Sequence, residues 1–225
     1  MKREIIKTGD GSSTIFLPDW NEHYHSKHGA VQEALHVFIK SGYQYYLSEA
    51  PEAHQLSILE IGFGTGLNAL LTLLEAEKDR VKISYTGVEA YPVEAEELKI
   101  LDYSEVVPGE NAAGAFKKLH EAPWEKSVEI SPFFRLQKQK KFFSEISEIQ
   151  EFDLIYFDAF GPRVQPELWS EEVFRNMYAA LNFRGVLVTY SAKGDVRRAM
   201  QAAGFEVTRL PGPPGKREML RAVKP

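Results

Sequence analysis

Apolar residues from position 57 onward come in short runs separated by segments of helical periodicity. The runs are rich in β-branched and aromatic residues, which favours strands, whereas the segments between them repeat apolar residues every three or four positions. Strands are predicted at 57–61, 83–89, 129–137, 153–157, 185–190, 205–210 and 218–223, and helices at 67–78, 93–101, 171–181 and 194–203. This alternation predicts an α/β fold with a mostly parallel seven-stranded sheet and an antiparallel C-terminal hairpin at its edge.

Residues 1–50 follow a different pattern and are predicted to form an N-terminal extension. Residues 3–18 alternate loosely around the turn Gly9-Asp10-Gly11-Ser12, which indicates a β-hairpin. A polar segment at 21–30 precedes a predicted helix at 30–47, which Pro51 closes. We expect this extension to pack on the same domain as residues 51–225.

Composition narrows the class of protein. A chain of 225 residues with 44% hydrophobic content is long enough for one α/β domain with a modest extension. Its apolar runs are shorter than the roughly 18 residues of a membrane span, and residues 1–8 do not read as a secretory signal. The absence of cysteine excludes disulfides, thiolate zinc sites and cysteine nucleophiles. The simplest interpretation is a cytoplasmic enzyme.

The segment 58–66 carries the strongest chemical signal. An apolar run containing Glu60 leads into Gly62, Gly64 and Gly66, and a helical pattern follows, which predicts a nucleotide site at the carboxyl end of a strand. The third glycine comes one residue too early for a dinucleotide fingerprint, and Glu60 would repel a pyrophosphate. A carboxylate here suits a cationic ligand, and the pattern resembles the S-adenosylmethionine (SAM) site of class I methyltransferases. A purely structural turn is the alternative.

Two further acidic residues end predicted strands. Glu89 comes 23 residues after Gly66, at a distance that suits a ribose hydroxyl pair, although it could instead cap a helix. Asp158 ends the strand 153–157, where a carboxylate faces the ligand crevice and can orient an amine and accept its proton. Its alternative role is that of a turn aspartate. The third strand is followed by residues 137–140, Gln-Lys-Gln-Lys, so adenine recognition there would depend on backbone atoms.

Several other polar residues are candidates for the acceptor side. His23, His25 and His28 lack a carboxylate or cysteine partner in the pattern, so no metal site is predicted. Tyr24 and its neighbours are predicted to form a lid over the crevice. Three residues at or after strand ends are candidates for the wall of the acceptor pocket: Trp169, which could also be a core anchor, Tyr190 and Ser191.

Charge is distributed unevenly along the chain. Residues 163–225 hold 11 Lys/Arg and six Asp/Glu, whereas residues 1–162 hold 16 and 26, and the net charge is −5. A positive C-terminal region can bind phosphates even on an acidic protein, although solvated surface charge is the simpler explanation. The candidate phosphate contacts are Lys193, Arg197, Arg198, Lys216 and Arg217.

Longer motifs resemble one particular family. The segments 158–162 (Asp-Ala-Phe-Gly-Pro), 166–169 (Pro-Glu-Leu-Trp), 190–198, 203–205 and 215–220 are similar to the methyltransferase half of the bifunctional tRNA-modifying enzyme MnmC, and so is 63–68. The resemblance covers residues 20–223. It implies a Rossmann-like class I methyltransferase that transfers a methyl group from SAM to 5-aminomethyl(-2-thio)uridine at the tRNA wobble position.

The resemblance also implies which residues bind and react. Glu60, Gly62, Gly64, Glu89 and Asp158 carry over as cofactor-binding or catalytic positions, and Asn68 and Gly66 join the cofactor-binding set. Since the chain stops at Pro225, we expect a stand-alone, monomeric methyltransferase without the flavin-dependent half and without flavin. Its expected partner is the tRNA anticodon stem-loop, with the target base splayed out of the stack.

Two other functions are compatible with these observations. One is a small-amine or polyamine-type transferase of the same fold, which would not need Lys216 and Arg217. The other is a catalytically silent binding module of the methyltransferase fold. The presence of Glu60, the glycines and Glu89 favours an enzyme over such a module.

Overall fold

The computed structural model describes residues 2–101, 103, 106–107 and 111–225. A small antiparallel sheet comes first, in the order β1 (Glu4–Lys7), β2 (Ser13–Leu17) and β3 (Glu22–His23). The predicted hairpin is therefore confirmed, and β3 adds a short third strand to it. Ile15 and Leu17 of β2 pack with Leu101 into a hydrophobic cluster, which attaches this sheet to the rest of the molecule.

A continuous helical segment follows the small sheet. It consists of α1 (Ala30–Ala34), a π-helical stretch (Leu35–Gln44) and α2 (Tyr45–Glu49), close to the predicted helix. The π-helical stretch lies on the main sheet, where a side chain at Gly42 would approach the Val188 side chain to 3.0 Å. The wider helix and the missing side chain together let this segment approach the sheet closely.

An eight-stranded mixed sheet forms the centre of the molecule. Its strands are β4 (Gln55–Ile61), β5 (Lys82–Val88), β6 (Ser127–Ser131), β7 (Phe134–Gln139), β8 (Phe152–Phe157), β9 (Leu181–Thr189), β10 (Glu206–Pro211) and β11 (Glu218–Val223). Their spatial order is β10-β11-β9-β8-β4-β5-β7-β6. Strands β9, β8, β4, β5 and β7 are parallel, and β10–β11 form the antiparallel hairpin. The predicted α/β class and C-terminal hairpin are confirmed.

The sheet has one strand more than predicted. The segment 129–137 is not one strand, because the chain turns at 132–133 and β6 pairs antiparallel with β7. Pro132 lacks the N–H group that a continuing strand would use, and it marks this turn in the sequence.

Helices cover both faces of the sheet. They are α3 (Leu67–Asp79), α4 (Ala95–Leu98), α5 (Ala112–Glu121), α6 (Glu171–Ala180) and α7 (Gly194–Ala202). The predicted helix at 93–101 is only one turn long, and α5 was not predicted. Tyr85 and Tyr156 belong to the buried cluster on one face, whereas Phe157 and Phe174 belong to that on the other. Among the described helices, none has the length and apolar character needed to cross a bilayer.

Gly87 on β5 leaves space for the Phe63 ring, which gives a test of the packing beneath the glycine turn. A Cβ atom at Gly87 would lie 2.3 Å from Phe63 Cδ2, and Phe63 is 3% exposed. We expect Gly87→Ala to lower the free energy of unfolding by about 2–3 kcal/mol, because the buried ring must move. Gly114→Ala, on the exposed side of α5, is the control and should leave stability unchanged or raise it by about 0.5–1 kcal/mol. Urea unfolding measures both, and equal effects would contradict the assigned packing.

Candidate active site

A cleft of about 1350 Å³ opens at the carboxyl ends of β4, β5 and β8. Its walls are the turn after β4, the segment after β5, the loop after β8 and the small N-terminal sheet with the residues that follow it. The carboxyl ends of parallel strands converge at one edge of a sheet, so residues far apart in sequence meet there. The predicted site residues that line the cleft are Tyr24, Glu60, Gly62, Gly64, Asn68, Glu89, Asp158, Tyr190 and Lys216.

The glycine turn brings bare backbone to the cleft. Gly62 has φ 88°, and a Cβ atom there would lie 2.7 Å from the carbonyl oxygen of Asp158. Gly64 has φ 49° and lies against the Tyr24 ring. The N–H groups of Gly62 and Phe63 both donate to the Val88 carbonyl, each at 3.0 Å. The turn therefore connects the ends of β4, β5 and β8 and needs residues without side chains.

A hydrogen-bonded chain joins two of the predicted carboxylates. The Asn68 amide donates to Glu60 Oε1 and to Asp158 Oδ2, both at 2.9 Å. The Tyr85 hydroxyl donates to the other oxygen of Glu60, also at 2.9 Å. Asn68 lies in the first turn of α3, so the glycine turn aligns its amide with the ends of β4 and β8. Asn68 therefore orients the carboxylates of Glu60 and Asp158, and the glycine turn itself sets the position of Asn68.

Glu89 is held by the backbone of the same turn. It follows β5 directly, and its carboxylate accepts hydrogen bonds from the N–H groups of Gly64 at 3.1 Å and Tyr91 at 2.9 Å. Burial raises its pKa above the ordinary value for a glutamate, and these backbone N–H groups and Arg3 oppose that rise. Glu89 lines the cleft next to the glycine turn.

Burial raises the pKa of three carboxylates in the cleft, Glu60, Glu89 and Asp158, above the ordinary values. Burial is the main cause for Glu60, whose pKa is raised well above the ordinary value, with the charges of Asp158 and Glu89 adding to the rise. Burial likewise raises the pKa of Asp158 to about 7, and the charge of Glu33 adds to it, whereas the Asn68 hydrogen bond and Lys216 lower it. Such a cluster favours a cationic ligand, which would relieve the repulsion among the carboxylates.

The side of the cleft beyond Asp158 carries an ion pair and an aromatic ring. Lys216 forms an ion pair with Glu33, and its ammonium lies 3.9 Å from the centre of the Tyr190 ring. The Tyr190 hydroxyl donates to the Ala159 carbonyl at 2.8 Å, which fixes the ring beside the Asp158 loop. Burial, followed by the charges of Asp158 and Glu33, raises the pKa of this phenol well above its usual range.

Two arginines tie the N-terminal sheet over the cleft. Arg3 forms an ion pair with Glu97 at 2.8 Å and donates to the Tyr91 carbonyl at 2.9 Å. Arg163, in the loop after β8, donates to the Glu22 carboxylate at 2.9 Å. Tyr24 packs edge-to-face on Phe160, with ring centres 5.0 Å apart. The segment expected to form a lid thus contacts the loop that carries Asp158, and Arg3 connects the N-terminal sheet to the segment after Glu89.

The remaining predicted residues lie outside the cleft wall. Trp169 is 4% exposed, packs on Phe157 and donates from Nε1 to the Phe160 carbonyl at 2.8 Å, as a core anchor would. Ser191 is buried, Gly66 caps the N-terminus of α3 with φ 74°, and Arg197 is half-buried. The exposed cations of the predicted set are Lys193, Arg198 and Arg217.

Several residues of the cleft were not identified from the sequence, among them Glu33, Tyr91 and Phe142. Glu33 carries a signal in the sequence, because it is a carboxylate on the buried face of α1 beside Ala30 and Ala34. Tyr91 and Phe142 are 62% and 54% exposed, and their ring centres lie 6.1 Å apart at the mouth of the cleft. Tyr91 follows Glu89 by two positions, which is the clue the sequence offered.

The three N-terminal histidines contact different neighbours. The His23 ring lies on Phe16, and the His25 ring reaches Thr14 at 3.2 Å and Thr65 at 3.4 Å. Burial lowers the pKa of His25 to about 4, so this ring is neutral near pH 7. In the part of the chain that the structure describes, no three His, Asp or Glu side chains cluster in a way that could hold a metal ion.

Comparisons with known proteins identify the family of this chain. A family model described as S-adenosyl-L-methionine-dependent methyltransferase matches residues 134–225. The tRNA 5-methylaminomethyl-2-thiouridine biosynthesis bifunctional protein MnmC of Cupriavidus metallidurans is 30% identical over 232 residues, which cover 96% of this chain and 33% of that protein. The chain thus spans about a third of the length of the curated relatives it matches.

Solved structures show the same relationship. The crystal structure of MNMC2 from Aquifex aeolicus matches with a TM-score of 0.80 at 25% identity, over 98% of this chain and 70% of that chain. Spermidine synthase from Thermotoga maritima matches with a TM-score of 0.55 at 14% identity, over 99% of this chain and 69% of that chain, which shows a shared fold alone. The chain therefore belongs with the methyltransferase part of the MnmC family, and its fold is that of SAM-dependent methyltransferases.

Proposed function

We propose that the protein transfers a methyl group from SAM to the amino group of 5-aminomethyl(-2-thio)uridine at the wobble position of tRNA, in the cytoplasm. The observation that carries the proposal is the hydrogen-bonded chain Glu60–Asn68–Asp158. It connects the acidic pocket beside the glycine turn, which suits a cationic donor, with the carboxylate that faces the acceptor side. The MnmC relatives are named for tRNA 5-methylaminomethyl-2-thiouridine biosynthesis, and this supplies the substrate class.

The charges and hydrogen-bonding groups on the donor side of the cleft suit SAM. SAM would supply a methyl group activated by the positive charge of its sulfonium. Asn68 Oδ1 is buried, and among the described residues no group donates to it, so an ammonium of the ligand would satisfy it. Glu89, directly after β5, would accept hydrogen bonds from ribose hydroxyls. Tyr91 and Phe142 offer apolar faces for an adenine ring, so recognition there would not depend on backbone atoms alone.

Asp158 is the proposed catalytic residue. An ammonium has no lone pair, so the substrate amine must lose a proton before it can react. The Asp158 carboxylate would accept that proton, and a pKa of about 7 suits exchange with an amine near neutral pH. The amine lone pair then forms the new C–N bond while the S–C bond breaks and its electron pair stays on sulfur.

The exposed cations near the C-terminus are the proposed phosphate contacts. Lys193, Arg198 and Arg217 are exposed, and each could bind a phosphate of the anticodon stem-loop. Binding through such contacts should weaken steeply as the salt concentration rises, because counterions are released. A free polyamine, by contrast, would be held only in the carboxylate-rich cleft. Its methylation would therefore not depend on these phosphate contacts.

The direct test is methyl transfer to tRNA. Labelled SAM is incubated with the protein and tRNA bearing aminomethyluridine, and the nucleosides are analysed by mass spectrometry. We expect one methyl group to be gained on the aminomethyl nitrogen. Putrescine and spermidine serve as competing acceptors in a parallel reaction. Label in the free amines with none in tRNA would assign the protein to small-amine transfer, and failure to bind SAM in calorimetry would indicate a binding module.

A further inference from the structure

Lys216 lies in the cleft rather than on the phosphate-binding surface where the sequence placed it. It belongs to the loop between β10 and β11, yet its ammonium pairs with Glu33 of α1, 183 positions away in the chain. The Glu33 side chain is 9% exposed and that of Lys216 is 32% exposed. The neighbouring Arg217 is exposed. Two adjacent cations on one loop therefore have different surroundings, one inside the cleft and one outside.

The surroundings of the Lys216 ammonium are those of a cation-binding subsite. Glu33 supplies a carboxylate, the Tyr190 ring supplies an aromatic face at 3.9 Å, and Asp158 lies close enough for its charge to interact with both Lys216 and Glu33. Two carboxylates and an aromatic face stabilise an alkylammonium that has lost its hydration shell. The second oxygen of Glu33 accepts the Ser26 N–H at 2.8 Å, which fixes the carboxylate in place.

We propose that this subsite, formed by Glu33, Tyr190 and Asp158, binds the cationic aminomethyl group of the acceptor, and that Lys216 occupies it when no acceptor is bound. The inference rests on the proposed function, since it names the residues that recognise the amine of that substrate. The lysine side chain ends in a primary ammonium on a methylene, as does the aminomethyl group, so one subsite fits both. When the acceptor enters, the half-exposed Lys216 side chain moves outward, where it can pair with a phosphate.

This arrangement gives selectivity for the modified base. An unmodified uridine brings no cation and would leave Glu33 and Asp158 facing each other without a counter-charge if it displaced Lys216. The aminomethyl base replaces one ammonium with another, so the charge balance of the subsite is kept. Recognition of the amine therefore operates through exchange of cations.

The test compares binding of two tRNAs that differ only at the wobble position, one with 5-aminomethyluridine and one with uridine, without SAM. For the wild type we expect tighter binding of the aminomethyl tRNA, and the ratio of the two dissociation constants is the readout. Glu33→Gln should lower this ratio about tenfold, because an amide cannot pair with the ammonium. Lys216→Met should raise the ratio about threefold or more, because the internal competitor is gone. Arg217→Gln, the matched control, should weaken both tRNAs equally and keep the ratio.

A second pair of variants covers the case in which Glu33→Gln fails to fold. Tyr190→Phe keeps the ring and should keep the ratio, whereas Tyr190→Leu should lower it severalfold. The inference is overturned if Lys216→Met weakens both tRNAs equally, as Arg217→Gln does, or if Tyr190→Leu and folded Glu33→Gln keep the wild-type ratio. If the wild type methylates neither tRNA, the proposed function itself has failed, and that outcome is separate.

Discussion

Replacing Asp158 with asparagine should lower the rate of methyl transfer by a factor of about 10²–10⁴ while SAM still binds. Asparagine keeps the size of the side chain but cannot accept the proton of the amine. The Asn68 amide still finds an oxygen at this position, so the glycine turn and the donor side should keep their geometry. Single-turnover transfer measures the loss, and calorimetry with SAM measures the affinity, which we expect to change by less than about threefold. Asp158→Ala should lose methyl transfer as well, although it leaves the Asn68 amide without this acceptor.

The pH dependence follows from the same carboxylate. Burial and the charge of Glu33 raise the pKa of Asp158 to about 7, and Asn68 and Lys216 limit that rise. Since only the ionised Asp158 carboxylate can accept the proton of the amine, the wild-type rate of methyl transfer should increase as the pH rises through about 7. Because the folded state binds the Asp158 proton more tightly than the unfolded state does, protonation of Asp158 stabilises the folded state. This stabilisation is fully present below the unfolded pKa and is lost as the pH rises through about 7. Asp158→Asn should therefore be more stable than the wild type at pH 8, by about 1–2 kcal/mol after allowance for partial exposure. An unchanged rate in this variant would remove Asp158 from the mechanism.

Changing Asn68 to aspartate should have the second largest effect. The amide donates to Glu60 and Asp158, both at 2.9 Å, and a carboxylate there would place three like charges in contact. We expect methyl transfer at pH 7 to fall by about 100-fold or more, because Asp158 would hold its proton more tightly. The variant should also lose about 2–4 kcal/mol of stability at pH 8. This loss should shrink toward pH 5, because an added carboxylate with a raised pKa is tolerated only while it is protonated.

Asn68→Leu separates the two causes. It removes the same hydrogen bonds without adding a charge, so its loss of stability should vary less with pH than that of Asn68→Asp. Urea unfolding at pH 5 and pH 8 makes the comparison. Equal pH dependence in the two variants would mean that the charges of Glu60 and Asp158 do not interact through this position.

Much of the donor side could be predicted because its residues are adjacent to strand ends. Glu60, Glu89 and Asp158 each end or follow a strand, and parallel strands bring such positions to one edge. Glu33 and Lys216 could not be paired in advance, since their contact depends on how the β10–β11 loop folds back over α1. Whether Trp169 walls a pocket or fills the core depends on packing, which the sequence around it does not specify. Pro132 marks the β6–β7 turn in the sequence, but the prediction of a single strand at 129–137 passes over it.

The arginine contacts of the N-terminal sheet bear on the order in which the site is completed during synthesis. This sheet is synthesised before the strands of the main sheet. Glu97, the partner of Arg3, is made 94 residues after it, and Arg163 is made 141 residues after its partner Glu22. Contacts between residues so far apart close late in folding, because the intervening loop must first be ordered. The N-terminal sheet is thus translated before the strands whose carboxyl ends form the cleft, but its contacts with them close afterwards. A nascent chain can hold a ligand in the cleft only when the loop after β8 has emerged.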